Sequence, residues 1–210
     1  MSRTVPHRGA VRNVVLAGVG GQGVLSATRI LGEALRLEGR EVRLGQLHGL
    51  SQRGGSVEGT LRIGPGGTSR VGRGEADLVL ALEPMEALRA LRYCRPSTRM
   101  LVNRRRLPMT LLALQGRPYP PLEEILGGIR DAGLELVDFD AQALAREVGA
   151  PRALNACMLG LAAGLSWLPV ETSSLVEVLR TMGPKAARKP NVMAFQLGIQ
   201  TARGGTEVES

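Results

Sequence analysis

Aromatic side chains are nearly missing from this sequence: two phenylalanines, two tyrosines and one tryptophan in 210 residues. Stacking platforms for single-stranded nucleic acid need such faces, so that class of function is nearly excluded and aliphatic residues must fill the core. Cysteine is as scarce. Cys94 and Cys157 lie far apart and make neither a disulfide framework nor a zinc spacing. A [4Fe–4S] cluster takes four thiolates, more than the chain contains. Two sparse thiols fit a reducing cytosol. No apolar run approaches the ~20 residues of a membrane span. The glycines from Gly18 onward interrupt the short apolar run behind the basic start, which argues against a signal peptide. The expectation is a cytoplasmic protein with no membrane anchor, no nucleic-acid partner and no metal of its own.

Lysine is almost absent too. Lys185 and Lys189 are the only two, so arginine carries nearly all of the 27 basic charges and the formal net charge of +8. The arginines are spread along the chain, apart from Arg104-Arg105-Arg106. That distribution reads either as a solvated basic surface or as a local site for an anionic cofactor. What the sequence has in quantity is ordinary hydrophobic content, 43%, and abundant glycine, 28 residues. Its length suits one domain over residues 1–210, with 204–210 as a frayed tail.

Patterning supplies the order of elements. Val11 to Val19 is a Val-rich apolar run ending in glycine, the mark of a buried strand. Gln22 to Glu38 has helical periodicity and stops at Gly39. Glu41 to Leu47 reads as a second strand, giving a Rossmann-like βαβ start. Strands are expected at Ser56–Ile63, Asp77–Leu82, Arg99–Asn103 and Leu134–Phe139. Helices are expected from Pro84 to about Tyr93, from Leu122 to Asp131, and from Ala141 to Val148 with Asp140 as its cap. Arg104 to Pro121 reads as an irregular excursion of unassigned role. The last third reads as helices at Pro151–Ser166, Thr172–Met182 with Thr172 as N-cap, and about Asn191–Ala202. The fold class is α/β: three layers, a mostly parallel sheet and a helical C-terminal part.

Two motifs carry chemistry. In Gly18 to Gly23 (GVGGQG), Gly18, Gly20 and Gly23 keep G-x-G-x-x-G spacing between strand and helix. Such a loop lets an anion approach the backbone at a helix N-terminus, where N–H groups are free; it also simply permits tight packing. A dinucleotide fold further asks for an acid at the end of the second strand, but that end reads Gly45-Gln46-Leu47-His48. The second motif, His48 to Gly55 (HGLSQRGG), leaves that strand at the same end of the sheet. It brings His48, Gln52 and Arg53 beside Gly54 and Gly55. A guanidinium there can bind a phosphate or carboxylate through two bonds. If the first two strands are neighbours, Gly18, Gly20, Gly21, Gln22 and Gly23 meet His48 to Gly55 in one anion site.

The order and spacing of these motifs resemble the gamma-type component of 2-oxoacid:ferredoxin oxidoreductases, most of all the indolepyruvate branch. Ala76-Asp77-Leu78-Val79 with Glu83-Pro84, the strand end at Asn103, and Asn155 to Gly160 extend the likeness over most of the chain. Leu50 in place of the common Met, and the segment Arg104 to Pro121, depart from it. The resemblance implies a subunit in the oxidative decarboxylation of a 2-oxoacid, often an arylpyruvate, to an acyl-CoA. The partners implied are a large alpha-type subunit and ferredoxin. Thiamine diphosphate, Mg and the [4Fe–4S] clusters would belong to that large subunit, and no Gly-Asp-Gly with a paired Asn is found in this chain. Coenzyme A is the expected guest of the two glycine motifs, with Asn155 as a further contact, and this chain alone is expected to hold no cofactor tightly. No residue is assigned a catalytic role. A homo-oligomer of the isolated chain is compatible with the sequence. The competing readings are a stand-alone NAD(P)-binding oxidoreductase and a non-catalytic nucleotide- or CoA-binding module.

Overall fold

Six strands form one sheet in the order β2-β3-β1-β4-β5-β6. A computed structural model describes residues 12–48, 55–107 and 118–205, with His48 through its backbone only. The strands are β1 (Asn13–Val19), β2 (Val42–His48), β3 (Ser56–Ile63), β4 (Leu78–Ala81), β5 (Arg99–Asn103) and β6 (Glu135–Phe139). The helices are α1 (Val24–Leu37), α2 (Pro84–Ala90), α3 (Leu122–Arg130), α4 (Ala141–Glu147), α5 (Leu154–Gly164), α6 (Thr172–Thr181) and α7 (Lys185–Gly205), and one 3-10 turn, Leu91–Tyr93, follows α2. Strands β1, β4, β5 and β6 are parallel neighbours.

The start of the chain departs from a simple βαβ unit. Strand β3 lies between β1 and β2 and runs antiparallel to both. The first two strands are therefore not neighbours, although they point the same way. Their carboxyl ends still share one end of the sheet, because β3 begins there: Ser56 pairs with Val19 and Val57 with His48. The order also departs from the 3-2-1-4-5-6 arrangement of dinucleotide-binding sheets.

Alternation along β1 sets the layers. Val14 and Leu16 face a core shared with α1 and α4 to α7, while Val15 and Ala17 face a second core under α2 and α3. Strand β4 is buried on both faces, as its apolar run requires. Strand β3 alternates apolar and polar residues, yet its polar side is also covered. Glu58 is buried and takes both Arg92, at 2.7 Å, and the Tyr93 hydroxyl, at 2.6 Å, while Thr60 donates to the Ser69 carbonyl. A buried carboxylate is tolerable only when so bonded.

Caps follow the sequence in part. Asp140 accepts from the Ala143 N–H, and Pro84 opens α2. Helix α6 instead takes Glu171 as N-cap, with Thr172 its first residue. Helix α7 begins at Lys185, before Pro190 rather than after it. A proline early in a helix forfeits one backbone bond, and the buried face around Ala194 and Phe195 holds the helix through it.

Helices α5 and α7 touch backbone to backbone. A methyl on Gly160 would sit 2.1 Å from the Phe195 carbonyl oxygen, and one on Gly198 would sit 2.5 Å from that of Cys157. Gly160→Ala is therefore expected to destabilise the chain by at least ~1–3 kcal/mol, the usual range for overpacking. Urea unfolding of the variant checks this; a loss no larger than the ~0.5 kcal/mol of a surface change would contradict the crossing.

Candidate functional site

The glycine loop is built around one side chain. Strand β1 ends at Val19, and Gln22 folds back beneath it. Its Oε1 accepts the Val19 N–H at 2.7 Å, and its Nε2 donates to the Leu82 carbonyl, also at 2.7 Å. The Asn103 amide donates to the same carbonyl at 2.9 Å. A Cβ on Gly18 would lie 2.8 Å from Gln22 Oε1. The first glycine of the motif thus makes room for the glutamine, and the polar ends of Gln22 are engaged within the protein.

The loop then turns into α1. Gly21 has φ +99° and Gly23, the N-cap, φ +81°. No side chain caps the helix and no acid stands in its first turn. A Cβ on Gly23 would fall 2.9 Å from Asn155 Nδ2. Asn155 is only 7% exposed; its Nδ2 lies 3.4 Å from the Gly23 carbonyl and its Oδ1 accepts from the Ala156 N–H.

A cleft of about 610 Å³ opens beside this loop. Gly21, Gln22, Gly23 and Ser26 form one wall, the Gly149–Ala153 turn and Asn155 a second, and residues from Met182 to Asn191 the third. The N-terminal ends of α1, α5 and α7 therefore converge on it. Each carries partial positive charge from unpaired N–H groups. Among the described lining residues Arg152 is the one charged side chain and none is a carboxylate. The first five residues of α7 carry Lys185, Arg188 and Lys189 and no acid; none of the three lines the cleft, and Arg188 Nε donates to the Gly183 carbonyl at 3.1 Å. Cations at a helix N-terminus cost ~0.3–1 kcal/mol each. Their placement adds positive potential near the cleft.

The sequence-derived residues are thus distributed as follows. Gly21, Gln22, Gly23 and Asn155 line the cleft. Gly18 and Gly20 support the loop from behind, and the Gly20 N–H bonds the Gly55 carbonyl at 2.9 Å, joining the two glycine motifs through β3. His48 ends β2 next to Val57 of β3. Gln52, Arg53 and Gly54 lie outside the described residues. Arg152 and the start of α7 were not anticipated; the signal available was a run of cations behind Gly183-Pro184, an unfavourable choice for a helix start.

Among the described lining residues Ser26 carries the one hydroxyl, and none is a cysteine, histidine or carboxylate. Cys157 is wholly buried in the core, and burial pushes its thiol up to about 12; burial does the same to Cys94. Among the described residues no three His, Cys, Asp or Glu side chains gather as a metal site, and no helix is long and apolar enough to cross a membrane.

Gly23→Ala is expected to lose stability twice over, through left-handed strain of ~1–2 kcal/mol and through contact with Asn155. Adding Asn155→Ala should recover the contact part only. A double-mutant cycle by thermal unfolding measures it; strictly additive effects would show that the two residues do not press on each other.

Comparison with known proteins gives a consistent picture. The family model described as pyruvate ferredoxin/flavodoxin oxidoreductase matches residues 13–201. Indolepyruvate oxidoreductase subunit IorB of Methanothermobacter thermautotrophicus is 37% identical over 190 residues, covering 90% of this chain and 97% of that protein. The subunit of the same name from Thermococcus kodakarensis is 35% identical over 193 residues, covering 91% and 96%. Among solved structures, the gamma subunit of a keto/oxoacid ferredoxin oxidoreductase from Geobacter sulfurreducens shares the fold with a TM-score of 0.68 at 22% identity, over 92% of this chain and 99% of that one. A 2-oxoglutarate:ferredoxin oxidoreductase from Magnetococcus marinus, with 2-oxoglutarate, coenzyme A and succinyl-CoA bound, shares it with a TM-score of 0.67 at 20% identity, over 92% of this chain and 31% of that one. With the family model spanning nearly the whole folded region and relatives more than a third identical from end to end, the chain belongs to the pyruvate ferredoxin/flavodoxin oxidoreductase family.

Proposed function

We propose that this chain is the small subunit of a cytoplasmic 2-oxoacid:ferredoxin oxidoreductase that oxidatively decarboxylates indolepyruvate or a related arylpyruvate. One observation carries the reading: the chain aligns with indolepyruvate oxidoreductase subunits over nearly their full length, at 37% identity in one of them. We take residues 1–210 as one gamma-type domain. Thiamine diphosphate, Mg and the iron–sulfur clusters belong to a large partner subunit, and ferredoxin takes the electrons. The chain's two cysteines are too few for a cluster.

The cleft fits coenzyme A. Its volume lies within the ~300–1,000 Å³ usual for cofactor sites, and its described walls offer positive helix ends and Arg152, with no carboxylate among the described lining residues. The backbone of Gly21 to Gly23, Asn155 and Arg152 would hold the anionic part. Arg53, with His48, Gln52, Gly54 and Gly55, is proposed to act from the second glycine motif, which Gly20 ties to the first. Coenzyme A supplies the thiol that accepts the acyl group. The chain's own residues bind and orient it, and Gln22 keeps the loop in shape.

Two outcomes test this reading. The purified chain should not oxidise indolepyruvate with CoA and ferredoxin, and activity should appear when a thiamine- and iron–sulfur-containing partner from the native host is added. Turnover without a partner would refute the subunit assignment. In the complex, Arg152→Glu should raise KM for CoA about fivefold or more at low salt, less at high salt because Arg152 is exposed and screened, with KM for the 2-oxoacid unchanged. An unchanged KM for CoA would remove CoA from this cleft while leaving the subunit assignment standing.

A further inference from the structure

The carboxyl end of β4 carries two wholly buried carboxylates one helical turn apart, Glu83 and Glu86, and neither lines the cleft. Glu83 is the N-cap of α2. Ser, Thr, Asp and Asn are the favoured caps, and any of them would serve a seven-residue helix without burying so long an acid. What the extra length reaches is visible in the bonds. One oxygen, Oε2, accepts the Glu86 N–H at 3.2 Å and does the capping. The other, Oε1, accepts the Leu107 N–H at 3.3 Å and the Tyr119 hydroxyl. Tyr119 in turn accepts the Met85 N–H at 3.3 Å. Leu107 and Tyr119, 12 apart in sequence and both within the excursion from Arg104 to Pro121, are thus drawn to a single oxygen atom.

Glu86 departs from its local role as well. It occupies the third helical position, from which a capping-box glutamate reaches back to the cap's own N–H. It turns outward instead, accepting the Ser56 hydroxyl on Oε2 and Arg89 on Oε1. Ser56 opens β3 immediately after Gly55, the residue that bonds Gly20. Burial raises the Glu86 carboxyl above its usual range, and the neighbouring Glu83 adds to the effect; the bonds from Ser56 and Arg89 oppose it. Burial and the Glu83 acceptor likewise raise the Tyr119 phenol, which therefore stays a donor.

We infer that Glu83 and Glu86 are positioning residues that clamp two segments to the carboxyl end of the sheet, the stem at Leu107 and Tyr119 and the start of β3 at Ser56. The clamp does not depend on which ligand the cleft takes. It explains why two carboxyl side chains are buried where one small cap would do. It also places the exposed Arg105 and Arg106, and the end of the second glycine motif, at fixed points beside the same helix.

Substitutions that separate length from charge test it in the full chain, read by amide hydrogen exchange. Glu83→Asp keeps a good cap but is one methylene short. Protection of α2 should persist, while exchange at residues 104–107 and at Tyr119, which stands between two prolines, should rise about tenfold or more, the scale for losing a buried hydrogen bond. Glu83→Gln keeps the length and an acceptor oxygen, and should restore much of the protection at those residues. Tyr119→Phe removes one donor with little risk to folding and should raise exchange at 104–107 alone among distant segments. Glu86→Ala should release residues 56–58 and leave 104–107 protected. The clamp is overturned if Glu83→Asp and Tyr119→Phe leave exchange at 104–107 unchanged, or if every variant raises exchange evenly over α2, β1 and these residues, as a merely destabilised fold would.

Discussion

The carbonyl of Leu82 is the point on which the working end of the molecule rests. Two side-chain amides converge on it, Gln22 from the glycine loop and Asn103 from the end of β5. Three successive parallel strands, β1, β4 and β5, are thereby tied where their backbone ladders run out. Gln22 also satisfies Val19, so the loop needs no ligand to keep its shape. The absence of a Cβ at Gly18 follows from this bridge, and the open helix start of α1 follows from the loop. A loop set in advance loses little conformational freedom when an anion arrives.

That end of the sheet is also the place where the chain changes direction. The connection after β1 runs by α1 over one face, while the connection after β4 runs by α2 over the other. Crevices at such switch points are where open α/β sheets bind ligands. Here the crevice is flanked by unlike chemistry. On the α1 face three helix starts and Arg152 make it positive; on the α2 face two buried carboxylates hold the neighbouring segments. The proposed anion site lies on the first side and the proposed clamp on the second.

Local pattern made much of this legible. The bounds of β3 and β5, the glycine loop, the cap at Asp140 and the start of α2 at Pro84 are all written in residues within a few positions of where they act. The insertion of β3 between β1 and β2 is not written that way. Its alternation says strand but names no partner, and Glu58 says solvent until Arg92 and Tyr93, more than thirty residues away, come to cover it. Helix α7 misleads for a related reason. Pro190 is a local stop signal, overridden by the face that carries Phe195 into the core. The cleft shares this non-local character: Gly23 and Asn155 touch across 132 positions, and Arg152 becomes a candidate only once α5 and α7 are seen to start beside α1.

The crossing of α5 and α7 bears on how this cleft can move. Gly160 and Gly198 bring the two backbones together with no side chain between them, and Gly164 makes room for the Ile199 carbonyl and the Ala202 Cβ. Side chains can yield by changing rotamer; peptide groups in contact cannot. Sliding α7 by one residue would put Leu197 or Ile199 in the place of Gly198 and drive its Cβ into the α5 backbone, so the pair behaves as a keyed shaft with one allowed register. Two of the three cleft walls, carried by the first turns of these helices, therefore keep a constant separation. The third wall, the glycine loop, is held to β4 by Gln22.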